Sequence, residues 1–393
     1  MGQARRRPGS VYAVMAAAST FVLAGSMLQP VYPLYVRGLG ATPMQFGLLF
    51  SLRQFLPLVL RIPLSIAGER VGRIRMLYAG LLVACTSALM YAYASSYTHL
   101  LLIVVYEALA AGSFNQVAMS TVSDAAPRKS QGDAMGRYLT FLGLGMLLGP
   151  ALCSILVVRL SYYQLFIMSG AFPVAGMMVL GLWAPRLPQS TRVESEEPEI
   201  GAIDSLRMIL SDRNVRLLSY CRLSFATAQS LFLTLFSLYA VDTLGISESM
   251  VALMFTIRGL ANTLVRFPAG RLSDRIGRKK PMIAAYGLLV VAYLMTALTR
   301  DVTLIAAALA IYGFSWGARA VSEWAFLTDL VDPEIKTLSI SYLSSVFGLG
   351  STVGSIVAGV LSASMPYSTI FLIAAAMMVP PIPAILSMKK EER

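Results

Sequence analysis

Two arginines lie inside long apolar segments, and their local sequences match. Arg53 lies in "FSLRQFL" and Arg258 in "FTIRGLA", at an offset of 205 residues (from 53 to 258). A guanidinium group stays charged at neutral pH and can bind an oxyanion through two parallel hydrogen bonds. The two arginines therefore indicate a site that binds an anionic group.

Carboxylates in the same apolar surroundings indicate proton chemistry. Glu107 lies in "VYEALAAG" and Glu323 in "SEWAF". A carboxyl group inside a membrane cavity can bind a proton and release it as the cavity closes and opens to water. We therefore predict that Arg53, Arg258 and Glu107 bind substrate. Proton coupling is predicted at Glu107 and Glu323.

Structural pairing is an alternative for both acids. Glu107 is predicted at the same depth as Arg53 and could neutralise it without touching a substrate. Arg319 and Glu323 are four residues apart on one helix face, where they could neutralise each other. The sequence leaves both alternatives open.

Membrane-spanning helices must position these residues. The chain has 393 residues, of which 56% are hydrophobic and 13% charged. Its apolar runs recur at roughly the 20 residues that a helix needs to cross a bilayer. We predict an all-α integral membrane protein with twelve transmembrane helices. The predicted spans are 11–35, 43–66, 76–95, 99–122, 134–158, 162–184, 215–240, 247–270, 281–298, 302–328, 336–362 and 367–387.

The distribution of basic residues predicts the orientation. The predicted outer loops carry only Arg37, Arg159 and Arg300, whereas the inner loops carry most of the 32 Lys and Arg. Because basic residues are retained on the cytoplasmic side, we predict cytoplasmic N- and C-termini in the cell (inner) membrane. The net charge of +12 is then explained by loops that face anionic lipid headgroups, and no nucleic-acid partner is expected.

No motif in the chain predicts catalysis. The GxxxxGK[ST] phosphate loop is absent, and the three cysteines lie singly in different predicted spans. We therefore expect no enzymatic activity, no cofactor and no metal. The expected partners are a small-molecule substrate, protons as the coupling ion, and the lipid bilayer.

An internal repeat relates the two halves of the chain. The segment "RIPLSIAGERVGRIR" (61–75) returns as "RFPAGRLSDRIGRKK" (266–280), and "GLGMLLG" (143–149) returns as "GLGSTVG" (348–354). Chance similarity between membrane helices would match Leu and Val, but these matches are mostly Arg, Gly and Pro. The repeat predicts two pseudo-symmetric six-helix bundles. Their predicted bounds are 1–184 and 215–393, with a central cytoplasmic linker at 185–214.

The repeated loop resembles a family signature. The stretch "GRLSDRIGRKK" (270–280) resembles the loop between spans 2 and 3, and again between spans 8 and 9, of the major facilitator superfamily. The first copy differs, with Ser65 at the leading glycine and Glu69 in place of aspartate. The resemblance covers the whole chain. It implies a monomeric transporter that works by alternating access, in which two bundles rock about a central site.

Two further stretches resemble the twelve-span drug:proton antiporters of that superfamily. They are "GSMLQPVYPLY" (25–35) in span 1 and "GMLLGP" (145–150) in span 5, although Cys153 stands where a later glycine is expected. Gly145 and Gly149 leave one helix face without side chains, and Pro150 favours a bend. By resemblance these three residues form a span 5 hinge or seal. Close helix packing alone is the alternative for the glycines.

By resemblance, the repeated loops form an inner latch that stabilises the outward-open state. The predicted inner latch comprises Glu69, Arg70, Gly72, Arg73, Asp124, Asp274, Arg275, Gly277, Arg278 and Asp329. Arg73 is expected to pair with Asp124. Arg278 is expected to pair with Asp329 in the same way. Glu69 and Asp274 are expected to approach the N-termini of spans 11 and 5, where the helix dipole favours an anion. The alternative is that these loops only determine topology.

Three functions are compatible with these features. The span 1 and span 5 signatures favour proton-coupled export of amphiphilic or drug-like compounds. Arg53 and Arg258 favour a carrier or exchanger of small organic or inorganic anions, similar to nitrate/nitrite carriers, whose glycine- and asparagine-rich signature is absent here. A non-transporting membrane receptor on the same scaffold is the third.

Overall fold

The computed structural model describes residues 9–125, 131–183, 207, 209–331 and 335–388, and contains helices and short connections but no β-strand within those ranges. The main helices, in chain order, are α1 (Gly9–Leu28), α2 (Tyr32–Gly38), α3 (Pro43–Val71), α4 (Arg73–Ala92), α5 (Tyr97–Ala125), α6 (Gln131–Leu156), α7 (Tyr162–Trp183), α8 (Arg213–Asp242), α9 (Glu248–Ile276), α10 (Lys279–Leu298), α11 (Val302–Leu330), α12 (Lys336–Ser362), α13 (Tyr367–Met377) and α14 (Pro381–Ser387).

The predicted all-α membrane fold is confirmed. Among the described residues, 11 helical segments are long and apolar enough to cross a membrane. The remaining predicted span is α3, a helix of 29 residues. With α3 included, the helices agree with the twelve predicted spans.

Prolines interrupt the first and the last predicted spans. Helix α1 ends at Leu28, and α2 begins at Tyr32 after Pro30. The last span divides into α13 and α14 before Pro381. A proline lacks the N–H of a helical hydrogen bond and its ring clashes with the preceding turn, so each of these spans is broken by a short turn.

Aspartates mark the starts of two helices that carry site residues. The carboxylate of Asp212 accepts a hydrogen bond from the main-chain N–H of Val215 at 2.9 Å, where α8 begins. Asp301 accepts from the N–H of Thr303 at 2.8 Å, where α11 begins. These N-caps satisfy amide groups that the first turn of a helix leaves unpaired.

The chain forms two compact units. The first comprises Met1–Ala41, Leu56–Val193 and Ser247–Thr256, and the second comprises Thr42–Phe55, Glu194–Ile246 and Ile257–Arg393. The amino-terminal end of α3, a helix of the first half, therefore belongs to the second unit. The amino-terminal end of α9, a helix of the second half, belongs to the first unit. The transport domains predicted at 1–184 and 215–393 stay a prediction, and most of the linker predicted at 185–214 lies outside the described residues.

The exchanged helix ends are held by close contacts within their units. In the second unit, a Cβ added to Gly47 of α3 would lie 2.7 Å from the Cα of Gly359 of α12. In the first unit, the hydroxyl of Ser249 of α9 donates to the main-chain oxygen of Ser154 at 2.6 Å. Direct backbone packing at glycine and a partly buried hydrogen bond thus hold these ends in place.

Matched hydrogen bonds show that the sequence repeat is a structural repeat. The hydroxyl of Tyr35 donates to the main-chain oxygen of Tyr91 at 2.5 Å. In the second unit, the hydroxyl of Tyr239 donates to the main-chain oxygen of Thr296 at 3.0 Å. Equivalent positions are therefore offset by 204 residues in the first span of each half (from 35 to 239) and by 205 in later spans (from 91 to 296).

Candidate substrate and proton sites in the two units

Two glycines bring α6 against α1 in the first unit. A Cβ on Gly145 would lie 2.6 Å from the main-chain oxygen of Ser19, and one on Gly149 would lie 2.6 Å from the main-chain nitrogen of Met27. The hydroxyl of Ser26 donates to the main-chain oxygen of Gly145 at 2.8 Å. The absence of side chains at these positions is therefore required for backbone-to-backbone packing.

The second unit repeats this arrangement between α12 and α8. A Cβ on Gly350 would lie 2.8 Å from the main-chain oxygen of Leu223, and one on Gly354 would lie 2.3 Å from that of Thr227. Close packing thus accounts for the glycines of both helices. Pro150 is buried inside α6, and the hinge predicted for span 5 stays a prediction.

Glycines also form the turns of the predicted inner latch. Gly72 has a φ of 102° and Gly277 a φ of 88°, in the left-handed region that other L-residues rarely adopt. These turns connect α3 to α4 and α9 to α10. The matched glycines are therefore explained by the backbone of the turn itself.

The two ion pairs that the family resemblance implies are both present. Arg73 contacts Asp124 at 2.6 Å in the first unit, and Nε of Arg278 donates to Asp329 at 2.9 Å in the second. Arg278 also pairs with Asp274. Partial burial acts to lower the pKa of Arg278, but hydrogen bonds to both aspartates outweigh this effect and raise it.

The other parts of the latch stay a prediction. Arg70 and Arg275 are exposed to solvent. The side chain of Glu69 lies outside the described part of the chain, as do residues 126–130 and 332–334, which precede α6 and α12. The structure therefore does not test the approach of Glu69 or Asp274 to those helix N-termini.

Tyrosines hold Glu107 in the interior of the first unit. The hydroxyl of Tyr91 of α4 donates to Oε2 of Glu107 at 2.8 Å. The hydroxyl of Tyr32 of α2 donates in turn to that of Tyr91 at 3.3 Å. Both tyrosines are 2% exposed, whereas Glu107 is partly exposed. Glu107 thus lies at the end of a short chain of hydroxyl groups and retains access to the surface of the chain.

Arg258 is buried where α9 and α11 cross. It is 4% exposed, and its guanidinium carbon lies 5.7 Å from the ring centroid of Trp316. A Cβ on Gly313 of α11 would lie 2.1 Å from the main-chain oxygen of Arg258, so glycine is required at this crossing. Arg53 is half-buried in α3, and its pairing with Glu107 stays a prediction.

Arg222 of α8 joins Arg319 and Glu323 of α11 in a buried cluster, which we call the ion cluster. Nη1 of Arg222 donates to Oε1 of Glu323 at 2.6 Å, and Arg319 pairs with Oε2 of the same carboxylate. The three side chains are 8%, 2% and 1% exposed, in that order. Two guanidinium groups and one carboxylate leave one positive charge in excess.

Aromatic rings surround the ion cluster. The guanidinium carbon of Arg222 lies 4.2 Å from the ring centroid of Trp324 and 5.5 Å from that of Phe347. That of Arg319 lies 3.7 Å from the ring centroid of Phe225. Ring faces attract cations, so these contacts offset part of the desolvation of the two arginines.

The sequence does not mark Arg222 as a functional residue. Arg319 and Glu323 pair, as the structural alternative expects, but the carboxylate is shared with Arg222. Proton coupling at Glu323 stays a prediction. Arg222 has no arginine at the equivalent position of the first half, so the repeat gives no signal for it. The available signal is its position nine residues after the start of α8, well inside an apolar helix.

Comparisons with known proteins agree with this architecture. A sequence profile of the Major Facilitator Superfamily matches residues 14–247 and 218–386. The chain is 22% identical over 376 residues to the uncharacterized MFS-type transporter MJ1560 of Methanocaldococcus jannaschii, covering 90% of this chain and 97% of that protein. It is 22% identical to the quinolone resistance protein NorA of Staphylococcus aureus (strain Mu50), over 60% of this chain and 59% of NorA.

A solved structure is similar along its whole length. The nucleoside transporter NupG matches with a TM-score of 0.78 at 15% identity, covering 98% of this chain and 100% of NupG. At that identity the similarity shows the fold alone. The helices, the matched loops and the profile, which spans both halves, together lead to one assignment: this chain belongs to the Major Facilitator Superfamily and is a membrane transporter.

Proposed function

We propose that this transporter exports small amphiphilic molecules and couples their movement to protons, with Glu107 as the group that binds and releases the proton. The hydrogen bond from Tyr91 to Glu107 carries this proposal. It holds an acid within a membrane-spanning helix, where an ionisable group is costly and is retained for a function. The partial exposure of Glu107 supports proton access to this carboxylate.

The proposal includes a membrane setting. The chain works as a monomer in the cell membrane with both termini in the cytoplasm, as its basic inner loops favour. NorA is named for quinolone resistance, and its similarity over 60% of this chain supports the export of drug-like compounds. Alternating access of the two bundles moves the substrate, and protonation of Glu107 changes which state is favoured.

Purified protein in vesicles tests the assignment of Glu107. Vesicles with an imposed pH gradient are supplied with ethidium, an amphiphilic cation, or fluorescein, an amphiphilic anion. We expect gradient-driven accumulation of at least one dye, and we expect Glu107→Gln to abolish it. Exchange of the same dye at equal pH on both sides should persist, because the variant stays in a neutral form that allows the bundles to move.

The matched control is Glu248→Gln. Glu248 pairs with Tyr162 at the amino-terminal end of α9 and is not part of the proposed proton site. Accumulation should persist in this control. Unaltered gradient-driven accumulation in Glu107→Gln would remove Glu107 from the mechanism.

A second candidate function is the transport of small anions. The almost complete burial of Arg258 favours it, because a permanently charged group in a membrane interior suggests an anionic ligand. The same vesicles test it. Exchange of nitrate across the membrane without a pH gradient would favour this function, and its absence would argue against it.

A further inference from the structure

The ion cluster occupies positions that are apolar in the other half of the molecule. Gly145 faces Ser19, and its equivalent Gly350 faces Leu223, which sets an offset of 204 between α1 and α8. Arg222 is therefore equivalent to Ala18.

The remaining members have apolar equivalents too. The offset of 205 between Asp124 and Asp329 makes Arg319 equivalent to Phe114 and Glu323 equivalent to Ala118. Ala18, Phe114 and Ala118 are each 0% exposed and belong to one apolar core. The same backbone arrangement therefore packs without any charge at these positions.

Structural stability does not explain the charges of the ion cluster. A buried ion pair is often no more stabilising than well-packed apolar side chains of similar size, because both ions lose their hydration. The first unit fills these positions with apolar side chains. The second unit fills them with charged side chains, so these charges point to a ligand.

The ion cluster has both a charge and hydrogen-bond donors left to offer. Arginine cannot lose its proton under ordinary conditions, so the excess positive charge is permanent. Within the described residues, Nε of Arg222 and Nε of Arg319 have no hydrogen-bond partner. Both nitrogens are donors, and a buried donor without an acceptor is unfavourable. One acceptor group with a single negative charge would satisfy both requirements.

We propose that the ion cluster binds the carboxylate group of the transported molecule. Arg222 makes the first contact, because its side chain is the most exposed of the three, and Arg319 completes the site. Glu323 is a positioning residue that holds both guanidinium groups. The inference rests on the transport function proposed above and names the chemical class of its substrate.

The surroundings favour an amphiphilic carboxylate over a small inorganic ion. A guanidinium group presents parallel N–H donors that match the two oxygens of a carboxylate. The rings of Phe225, Trp324 and Phe347 lie beside the two guanidinium groups and provide apolar surface for the body of the ligand. Benzoate combines one carboxylate with one ring and is therefore the probe of choice.

Binding of benzoate to the purified full-length protein tests the site. Thermal stability in detergent is measured against benzoate concentration, with benzamide as the neutral control and sodium nitrate as the inorganic control. Bound ligand raises the unfolding temperature with concentration, so the titration yields a Kd. We expect benzoate, but neither control, to stabilise the protein. Stabilisation by nitrate alone, or by none of the three, would overturn the proposal.

Variants connect the binding to the ion cluster. We expect Arg222→Gln to weaken benzoate binding by about tenfold to a hundredfold, the effect of losing a charged hydrogen-bond partner. Arg213→Gln removes the same charge from an exposed position at the start of α8 and should leave the Kd within about twofold. Equal Kd values in Arg222→Gln and the unsubstituted protein would overturn the proposal.

A second variant covers the case in which Arg222→Gln does not fold. The triple variant Arg222→Ala, Arg319→Phe and Glu323→Ala copies the apolar core of the first half, and it should fold and bind no benzoate. Benzoate binding by this variant would overturn the proposal. Glu107→Gln should bind benzoate normally, so loss of proton coupling and loss of carboxylate binding are separate outcomes.

Discussion

The two halves of this transporter repeat the same helices but differ in the charges that those helices bury. Where α5 of the first half carries Glu107, α11 of the second half carries Tyr312, which is 0% exposed. Where the second half carries Arg222, Arg319 and Glu323, the first half is apolar. The hydrogen bonds that the hydroxyls of Tyr35 and Tyr239 donate to main-chain oxygens are nevertheless equivalent.

This difference shows which features belong to the scaffold and which belong to the activity. Glycine contacts and loop ion pairs occur in both halves, so they form and hold the helical units. Among the described residues, the partly exposed Glu107 with its tyrosines lies in the first unit, and the ion cluster lies in the second. On our proposals, protons and the carboxylate of the cargo bind to different units, so each can be altered separately.

Removing one charge from the ion cluster should have the largest effect on stability. Glu323→Ala leaves two buried guanidinium groups without their carboxylate, and we expect a loss of about 3 to 5 kcal/mol in the free energy of unfolding. Unfolding in mixed detergent micelles, followed by tryptophan fluorescence, measures it.

The triple variant that copies the first half sharpens this comparison. Arg222→Ala, Arg319→Phe and Glu323→Ala together should be neutral or stabilising by about 1 to 4 kcal/mol, because no uncompensated charge remains. If the triple variant were as unstable as Glu323→Ala, the charges of the ion cluster would be needed for stability. The two halves would then not be interchangeable at these positions.

The glycine contacts should show an intermediate effect that is similar in both halves. Gly149→Ala and Gly354→Ala place a Cβ against backbone atoms at 2.6 Å and 2.3 Å. We expect each to lose about 1 to 3 kcal/mol, as in overpacked cores. The control Gly25→Ala has no atom within 4 Å of its new Cβ and should gain up to about 1 kcal/mol from helix propensity. If only one of these two variants lost stability, the glycine contacts of the two halves would not be equivalent.

The loop ion pairs should show the smallest effect. A double-mutant cycle on Arg278 and Asp329 should give a coupling of about 0.2 to 1 kcal/mol, as for partly exposed pairs. A smaller coupling is expected for Arg73 and Asp124, because the Asp124 side chain is 52% exposed against 24% for Asp329. A larger coupling in the first half would contradict the ranking by burial.

The sign of the pH dependence follows from the raised pKa of Arg278. A basic group whose pKa is raised in the folded state contributes stability below its unfolded pKa and loses it only as pH rises through the folded value. For an arginine this window lies at strongly alkaline pH. The coupling of Arg278 should therefore be constant from neutral to mildly alkaline pH, which the same cycles measure when repeated at several pH values.

The sequence is informative where local patterns determine the structure. Apolar length predicts the helices, and the resemblance of the repeated loop to a family signature implies the pairing of Arg73 with Asp124, which is present. Proline breaks near Pro30 and Pro381 lie inside apolar runs, so hydropathy alone misses them. The exchange of helix ends between the units depends on contacts between distant residues such as Gly47 and Gly359, which no local pattern reports.

The ion cluster shows why part of the site could not be predicted. Arg319 and Glu323 are neighbours on one helix, so their spacing alone suggests a complete pair. Arg222 lies 101 residues before Glu323 in the chain. Tertiary packing brings α8 against α11. The excess of one positive charge is visible only when Arg222 is counted together with Arg319 and Glu323.

The glycine contact between α1 and α6 also determines when each half can complete its folding during synthesis. Ser26 and its acceptor Gly145 are separated by 119 positions, and the bond between Ser230 of α8 and Ser355 of α12 spans 125. Helix α1 therefore reaches the bilayer long before its partner leaves the ribosome. A nascent chain that ends before residue 131 leaves the α6-binding face of α1 without its partner helix.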